Sequence, residues 1–295
     1  MLRRWWYVVL FSQVGCLPVQ PDPPVVPPSS DSSTGLRPPI TSVSPQTIDE
    51  MHQAAMDSFA KVHSYCARLR RRETRDGKPK PEELVLFKER KSPFSVHFKW
   101  IGPEAAGREV LYVQGKYGDK LNLVTAAGDV PFTPGGKRIS MARDSMFVKA
   151  ANPNHDITHA GMDHNLRDLS MLYAAAKSPQ SGVTAKWLGA VQRPESKDPM
   201  FGVEVILPPG RDPDLPRGGK RLIYYCPTTH LPVLYQSFDE LGRDFNYNYY
   251  DRLQLDLKLD DADFDPDTLW GKPGDKQKPQ PGPTVSASTP GPLPG

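Results

Sequence analysis

The chain has 295 residues, 33 of them proline and 23 glycine, and its 37 Lys+Arg against 34 Asp+Glu give a formal net charge of +3. That balance is too even to argue for nucleic acid from charge alone, and a mean hydropathy of −0.53 with no apolar run near twenty residues excludes a transmembrane bundle. Proline, at about twice its ordinary usage, crowds the stretches before Ser44 and after Gly271, so the sequence divides into one folded domain over 45–271 between arms that cannot bury a core.

The chain opens with Arg3 and Arg4, followed by the short apolar run Trp5 to Phe11. This reads as a secretory signal over 1–16, too short to span a bilayer. It leads into Gln13-Val14-Gly15-Cys16, which resembles the bacterial lipobox and implies lipidation of Cys16. An ordinary signal peptide with an incidental cysteine is the alternative. Residues 17–44 then form a Pro-rich spacer that would hold an anchored domain off its membrane. In an exported chain the remaining pair, Cys66 and Cys226, is a possible disulfide, with two free thiols as the alternative.

The domain is expected to open with a helix. Ser44-Pro45 offers a cap followed by a first helical proline, and Thr47 with Glu50 fits a capping box. Ile48, Met51, Ala55, Phe59 and Val62 then recur as one apolar stripe. After His63 the period shortens to two. Arg68, Arg70 and Arg72 share one face of a strand whose other face carries Ala67 and Leu69. Phe94, Val96, Phe98 and Trp100 alternate with Ser95, His97 and Lys99, the pattern of a half-buried strand. Further strands are expected at 110–114, 121–125, 185–191, 203–207, 222–226, 233–238, 245–250 and 253–259, with turns at Tyr117-Gly118-Asp119, Ala127-Gly128-Asp129 and Asp239 to Gly242. A second helix, capped by Asp163, carries Leu166, Leu169, Met171, Leu172 and Tyr173 up to Ser178-Pro179. One antiparallel sheet with two amphipathic helices must pack them on a face or curl around them.

Catalytic signatures are weak. His155, His159 and His164 could serve a metal-dependent hydrolase, but the glutamate of a His-Glu-x-x-His protease is absent. The run Asp260, Asp261, Asp263, Asp265 and Asp267 begins like a calcium loop, then places Pro266 and Lys272 where glycine and glutamate belong. A solvated strand end with an Asp-Pro turn is the expectation. There is no Gly-x-Ser-x-Gly elbow and no phosphate or dinucleotide loop. The basic run from Arg68 to Arg72, continuing to Arg75, Lys78 and Lys80, reads as protection of an edge strand or as a lure for anionic lipid heads. Tyr224, Tyr225, Tyr235, Phe238, Phe245, Tyr247, Tyr249 and Tyr250 crowd three consecutive strands, where they pack a core or line an apolar groove.

A resemblance rests on an ordered series of residues. Tyr65-Cys66-Ala67-Arg68, Pro93-Phe94-Ser95-Val96 with Lys99-Trp100, Thr228 to Val233, Phe238 to Arg243, Tyr250, and Leu259 to Phe264 together resemble an uncharacterised exported bacterial family, domain of unknown function 1571. That family is similar to the LolA/LolB superfamily of lipoprotein carriers of the outer membrane and periplasm. The resemblance implies a mainly β fold: an unclosed antiparallel β-barrel, or strongly curved sheet, with helices on its concave side. It further implies a non-catalytic envelope lipoprotein that binds an acyl chain, lipid or lipoprotein and needs no cofactor. Phe98, Trp100, Tyr112, Trp187, Tyr224, Tyr235 and Tyr247 are the expected ligand-binding residues, in an apolar cavity of several hundred Å³ between sheet and helices. The rival readings are an envelope interaction protein with a fully packed sheet and the metal-dependent hydrolase. No nucleic-acid partner is expected.

Overall fold

The structure, a computed structural model, describes residues 45–75, 77–129, 135–151 and 156–272. The expected signal peptide, the Cys16 lipidation site, the 17–44 spacer, nearly all of the 272–295 tail and His155 lie outside the described residues. In chain order the elements are α1 (Ile48–Ala60), β1 (Ser64–Arg75), β2 (Lys78–Pro79), β3 (Glu83–Arg90), β4 (Ser95–Trp100), β5 (Glu109–Val113), β6 (Leu121–Val124), β7 (Arg138–Met141), α2 (Met146–Ala151), α3 (Met162–Ala176), β8 (Thr184–Val191), β9 (Met200–Leu207), β10 (Gly219–Tyr225), β11 (Pro232–Asp239), β12 (Asp244–Leu255) and α4 (Pro266–Trp270). No helix among the described residues is long and apolar enough to cross a membrane.

The described strands form one antiparallel sheet in the order β7-β6-β5-β4-β3-β1-β12-β11-β10-β9-β8, with β2 attached to β1. The chain starts at the centre, meanders outward from β3 to β7, crosses to the far edge at β8, and meanders back until β12 pairs with β1. The crossing segment has to traverse the sheet, and it does so as α3. The sheet is unclosed, because β7 and β8 remain its two edges. The expected architecture of an open antiparallel sheet with helices on one face is what forms.

Helix α1 starts later than Pro45. Thr47 is its cap and accepts the Glu50 N–H at 3.2 Å, while Glu50 reaches back to the Gln46 N–H at 2.8 Å. The stripe Met51, Ala55, Phe59 and Val62 is buried as its spacing requires. Helix α3 is entered through Gly161 at φ 94°, and Asp163 lies in its first turn instead of capping it. Of its expected apolar face, Leu166, Leu169 and Tyr173 are buried, whereas Met171 is 65% exposed.

Four other expectations are corrected. The strand over 94–100 is not half-buried, because Ser95 and His97 on its second face are buried as well. What covers them is the C-terminal segment, where Phe264 packs with Leu111 and Val113 beside Leu259, Leu269 and Trp270. The two strands expected over 245–259 are one, β12, which ends at Leu255. The basic strand β1 is central instead of an edge, and its arginines are matched: Arg68 by Asp251, Arg70 by Glu82 and Arg71 by Glu83. Finally, Cys66 and Cys226 are free thiols. Two strands, β12 and β11, separate β1 from β10, a span of about 14 Å at ordinary strand spacing, whereas a bridge needs Cα atoms within about 7 Å.

Candidate functional site

Register assigns side chains to faces, since residues directly opposite in a ladder point the same way. Tyr65 and Glu89 are opposite one another, and both meet the first residue of α3, so their side defines the helix face. Following the ladders outward, Phe87, Phe98, Val110, Leu123 and Ile139 form one row across that face. In it Phe87 is buried, but Phe98, Val110, Leu123 and Ile139 are only half-buried, as is Met141 beyond them. Met146 of α2, next in the chain, is 73% exposed. Beneath α1 and α3 the packing differs. Met51, Ala55, Met162 and Leu166 are exposed by 1% or less. The helices fill one half of the face, and over β4 to β7 they leave a half-buried apolar strip, Phe98 to Ile139, beside buried Val96, Tyr112 and Leu121.

Five of the seven expected ligand-binding residues share this face: Phe98, Trp100, Tyr112, Trp187 and Tyr235. Trp100 is buried with its Nε1 donating to Glu83 at 3.0 Å, and Tyr112 donates to Asp119 at 2.7 Å. Trp187 stacks on Phe201 at 5.8 Å on the edge strand β8. Tyr235 keeps a buried hydroxyl that has no hydrogen-bond partner.

Tyr224 and Tyr247 are on the other face. The β8–β9 loop lies over them: the Arg193 guanidinium sits 4.8 Å above the Tyr224 ring, and Tyr247 donates to Glu195 at 3.0 Å. Packing under this loop explains their burial, and they are separated from the apolar strip by the thickness of the sheet. Two cavities, of 410 and 580 Å³, open at opposite ends of the sheet, the first near His63 and Lys258 and the second near Gly77 and Leu215. Neither lies between the sheet and α1 or α3, where an apolar cavity was expected.

The helix face also carries a group that periodicity hid. Glu89 on β3 is completely buried. Its Oε2 receives the Tyr65 hydroxyl at 2.6 Å and the Met162 N–H at 3.3 Å, while Oε1 has no partner. Burial pushes its pKa up to about 7, against the opposing pull of those two hydrogen bonds. Gly161 must be glycine here, because a Cβ would come within 1.7 Å of the Glu89 carboxylate. A buried charged residue alternating with exposed Leu86 inverts the strand pattern, which is why β3 does not read as a strand in the sequence.

The histidine and aspartate clusters resolve differently. The His159 and His164 rings stack at 4.2 Å, yet no group of three metal-ligating side chains occurs among the described residues. The aspartates are tied up as a strap. Asp261 pairs with Arg90 and Lys116, Asp263 with Lys88, and Asp267 with Arg138, while Asp265 caps α4 and accepts from Tyr117. They are not a merely solvated strand end, because they fasten the C-terminal segment over β4 and β5.

Solved structures with a related arrangement have low identity. An uncharacterised conserved protein from Thermus thermophilus shares 9% identity at a TM-score of 0.42, over 74% of this chain and 93% of that one. The lipoprotein LppX of Mycobacterium tuberculosis shares 12% at 0.40, over 72% and 100%. A LolA superfamily protein from Nitrosomonas europaea shares 13% at 0.29, over 75% and 98%. A search of curated proteins finds no match. The model of the family described as Protein of unknown function (DUF1571) matches residues 62–270, so the chain belongs to that family.

Proposed function

We propose that this chain is a non-catalytic cell-envelope protein that holds an acyl chain, from a lipid or a lipoprotein, along the helix face of its sheet. The observation that carries this reading is the half-buried row Phe98, Val110, Leu123 and Ile139 at the open side of the sheet. Such a strip leaves apolar area in water that a ligand can cover. Each buried methylene contributes about 0.8 kcal/mol, so ten of them supply about 8 kcal/mol, which corresponds to micromolar affinity. Export through the N-terminal signal and lipidation at Cys16 place the protein on a membrane, with the Pro-rich segment as its spacer.

The test is titration of delipidated protein with a fatty acid. Saturable binding near micromolar affinity, weakened by Leu123→Asp, is the expected result. Absence of saturable binding would overturn the reading. The second reading, an envelope interaction protein with a packed sheet, is favoured by the filled space beneath α1 and α3, and it is what remains if the titration fails. For the anchor, Cys16→Ser should release the protein from the membrane fraction. The domain limits are tested by limited proteolysis, which should leave a stable core near residues 45–271.

A further inference from the structure

At the end of the sheet where β1 begins, three segments remote in sequence surround the 410 Å³ cavity: the α1–β1 link at His63, the β3–β4 turn at Arg90 to Ser92, and the chain leaving β12 at Asp256 to Leu259. Its lining is basic, with Arg90, Lys91, Lys258 and the His63 imidazole against the one acid Asp256. Asp256 is partly occupied by the chain itself, since its Oδ1 accepts the His63 backbone N–H at 3.4 Å. The cations are poorly matched. Among the described residues, neither Lys91, Lys258 nor the His63 ring makes a contact ion pair, and Asp163, Glu89 and Asp256 act on Lys91 only at longer range.

Lys91 instead donates to the Phe59 carbonyl at the end of α1 and lies 3.8 Å over the Phe59 ring. A carbonyl and a ring face hold an ammonium in place without cancelling its charge. Arg90 uses Nη2 for Ser95 at 3.1 Å and for Asp261 at 3.0 Å, yet its Nε is buried with no acceptor. Asp261 is two-thirds exposed and shared with Lys116. Cations gathered around a concave site attract an anion.

We infer that this cavity binds a compact phosphate-bearing oxyanion, held by the ammonium groups of Lys91 and Lys258 and the His63 imidazole, with the Arg90 guanidinium behind them. Phosphate fits better than carboxylate because the donors come from three segments around the cavity. A tetrahedral anion offers acceptor oxygens in several directions, whereas a carboxylate offers them in one plane. The cavity is large enough for such a headgroup. No residue lining the cavity belongs to the apolar strip, so the site is independent of it, and failure of one reading leaves the other standing. The phosphate has two sources, a phospholipid headgroup or a soluble phosphate ester.

The experiment uses the full chain and the double variant His63→Ala/Lys258→Glu, whose two positions are exposed and leave the core untouched. Both proteins are titrated with inorganic phosphate, with glycerol 3-phosphate and with phosphatidylglycerol vesicles, against sodium chloride of equal ionic strength. Unliganded melting curves that superimpose establish that the variant is folded. The expected result is binding that the double variant weakens by about tenfold or more, the effect of removing one charge-assisted contact and reversing another. Variant-sensitive binding of the soluble phosphates assigns a free ester, and variant-sensitive binding of vesicles alone assigns a headgroup. Binding by the two proteins that is equal, or no greater than that caused by sodium chloride, overturns the site.

Discussion

Two buried glutamates on opposite faces of one sheet have opposite fates. Glu109 on β5 is met by His97 at 2.7 Å, Lys99 at 3.0 Å and the Trp270 indole at 2.8 Å. Burial works to raise its pKa, but the hydrogen bonds from His97, Trp270 and Lys99 overcome it and hold the carboxyl down at about 2. Glu89 on β3 has a phenol and one backbone N–H and no contacting cation, so burial prevails and its carboxyl is pushed up to about 7. Burial acts on both, and the number and charge of the partners decide the sign. The strap face is built to keep its charge, and the helix face to be rid of it.

The largest effect should come from breaking the strap. Phe264 is 1% exposed between Leu111, Val113 and the Arg90 guanidinium. Phe264→Ala should cost about 3–5 kcal/mol by cavity formation and lost transfer energy, read as a fall in the urea midpoint. A loss below about 1 kcal/mol would mean that the strap is not part of the cooperative core.

Next comes acid. A carboxyl depressed in the folded state contributes stability that is present above its unfolded pKa and lost as pH falls through the folded value. Glu109 should therefore supply on the order of 3 kcal/mol that drains away between pH 4.5 and about 2. In Glu109→Gln that slope should flatten, which urea titrations at successive pH values would detect.

Glu89 sharpens the comparison with the reverse sign. Its raised pKa means the folded state holds the extra proton, so stability falls as pH rises from 4.5 to about 7 and is level above. Glu89→Gln keeps an acceptor for Met162 and removes the charge. We expect it to stabilise the protein at pH 8 by about 1–3 kcal/mol and to abolish the neutral-pH slope. Destabilisation at pH 8 together with an unchanged slope would show that Glu89 is not the titrating group.

The smallest effect is expected where α1 and α3 share an exposed ion pair, Lys177 with Asp49 at 2.8 Å, both side chains about two-thirds exposed. Lys177→Ala should change stability by less than about 0.5 kcal/mol. A larger loss in thermal melts would show that the helix pair depends on its surface charges and not on its buried stripe.

Much of the fold is legible locally. The α1 stripe, the alternation from Phe94 to Trp100 and the turns at Gly118 and Gly242 each carry their own signal, because one face of each element is apolar and turns need particular residues. The site is legible only in part. Phe98 and Tyr235 do reach the helix face, but alternation cannot tell which face of a strand bearing rings on both sides will meet the helices. Tyr224 and Tyr247 lie on the face opposite the helices for that reason. Strand β3 was hidden by Glu89, and α4 by its five-residue length.

An antiparallel β domain with two amphipathic helices between Pro-rich arms follows from local pattern, since periodicity and turn chemistry act within a few residues. Tertiary structure alone decided that β1 lies at the centre, that Cys66 and Cys226 stay apart, and that the aspartates fasten a strap. It also decided that one buried glutamate keeps its charge while the other is driven to lose it. Those outcomes depend on which distant strands become neighbours, and pairing partners, unlike periods, are set only when the whole sheet closes its ladders.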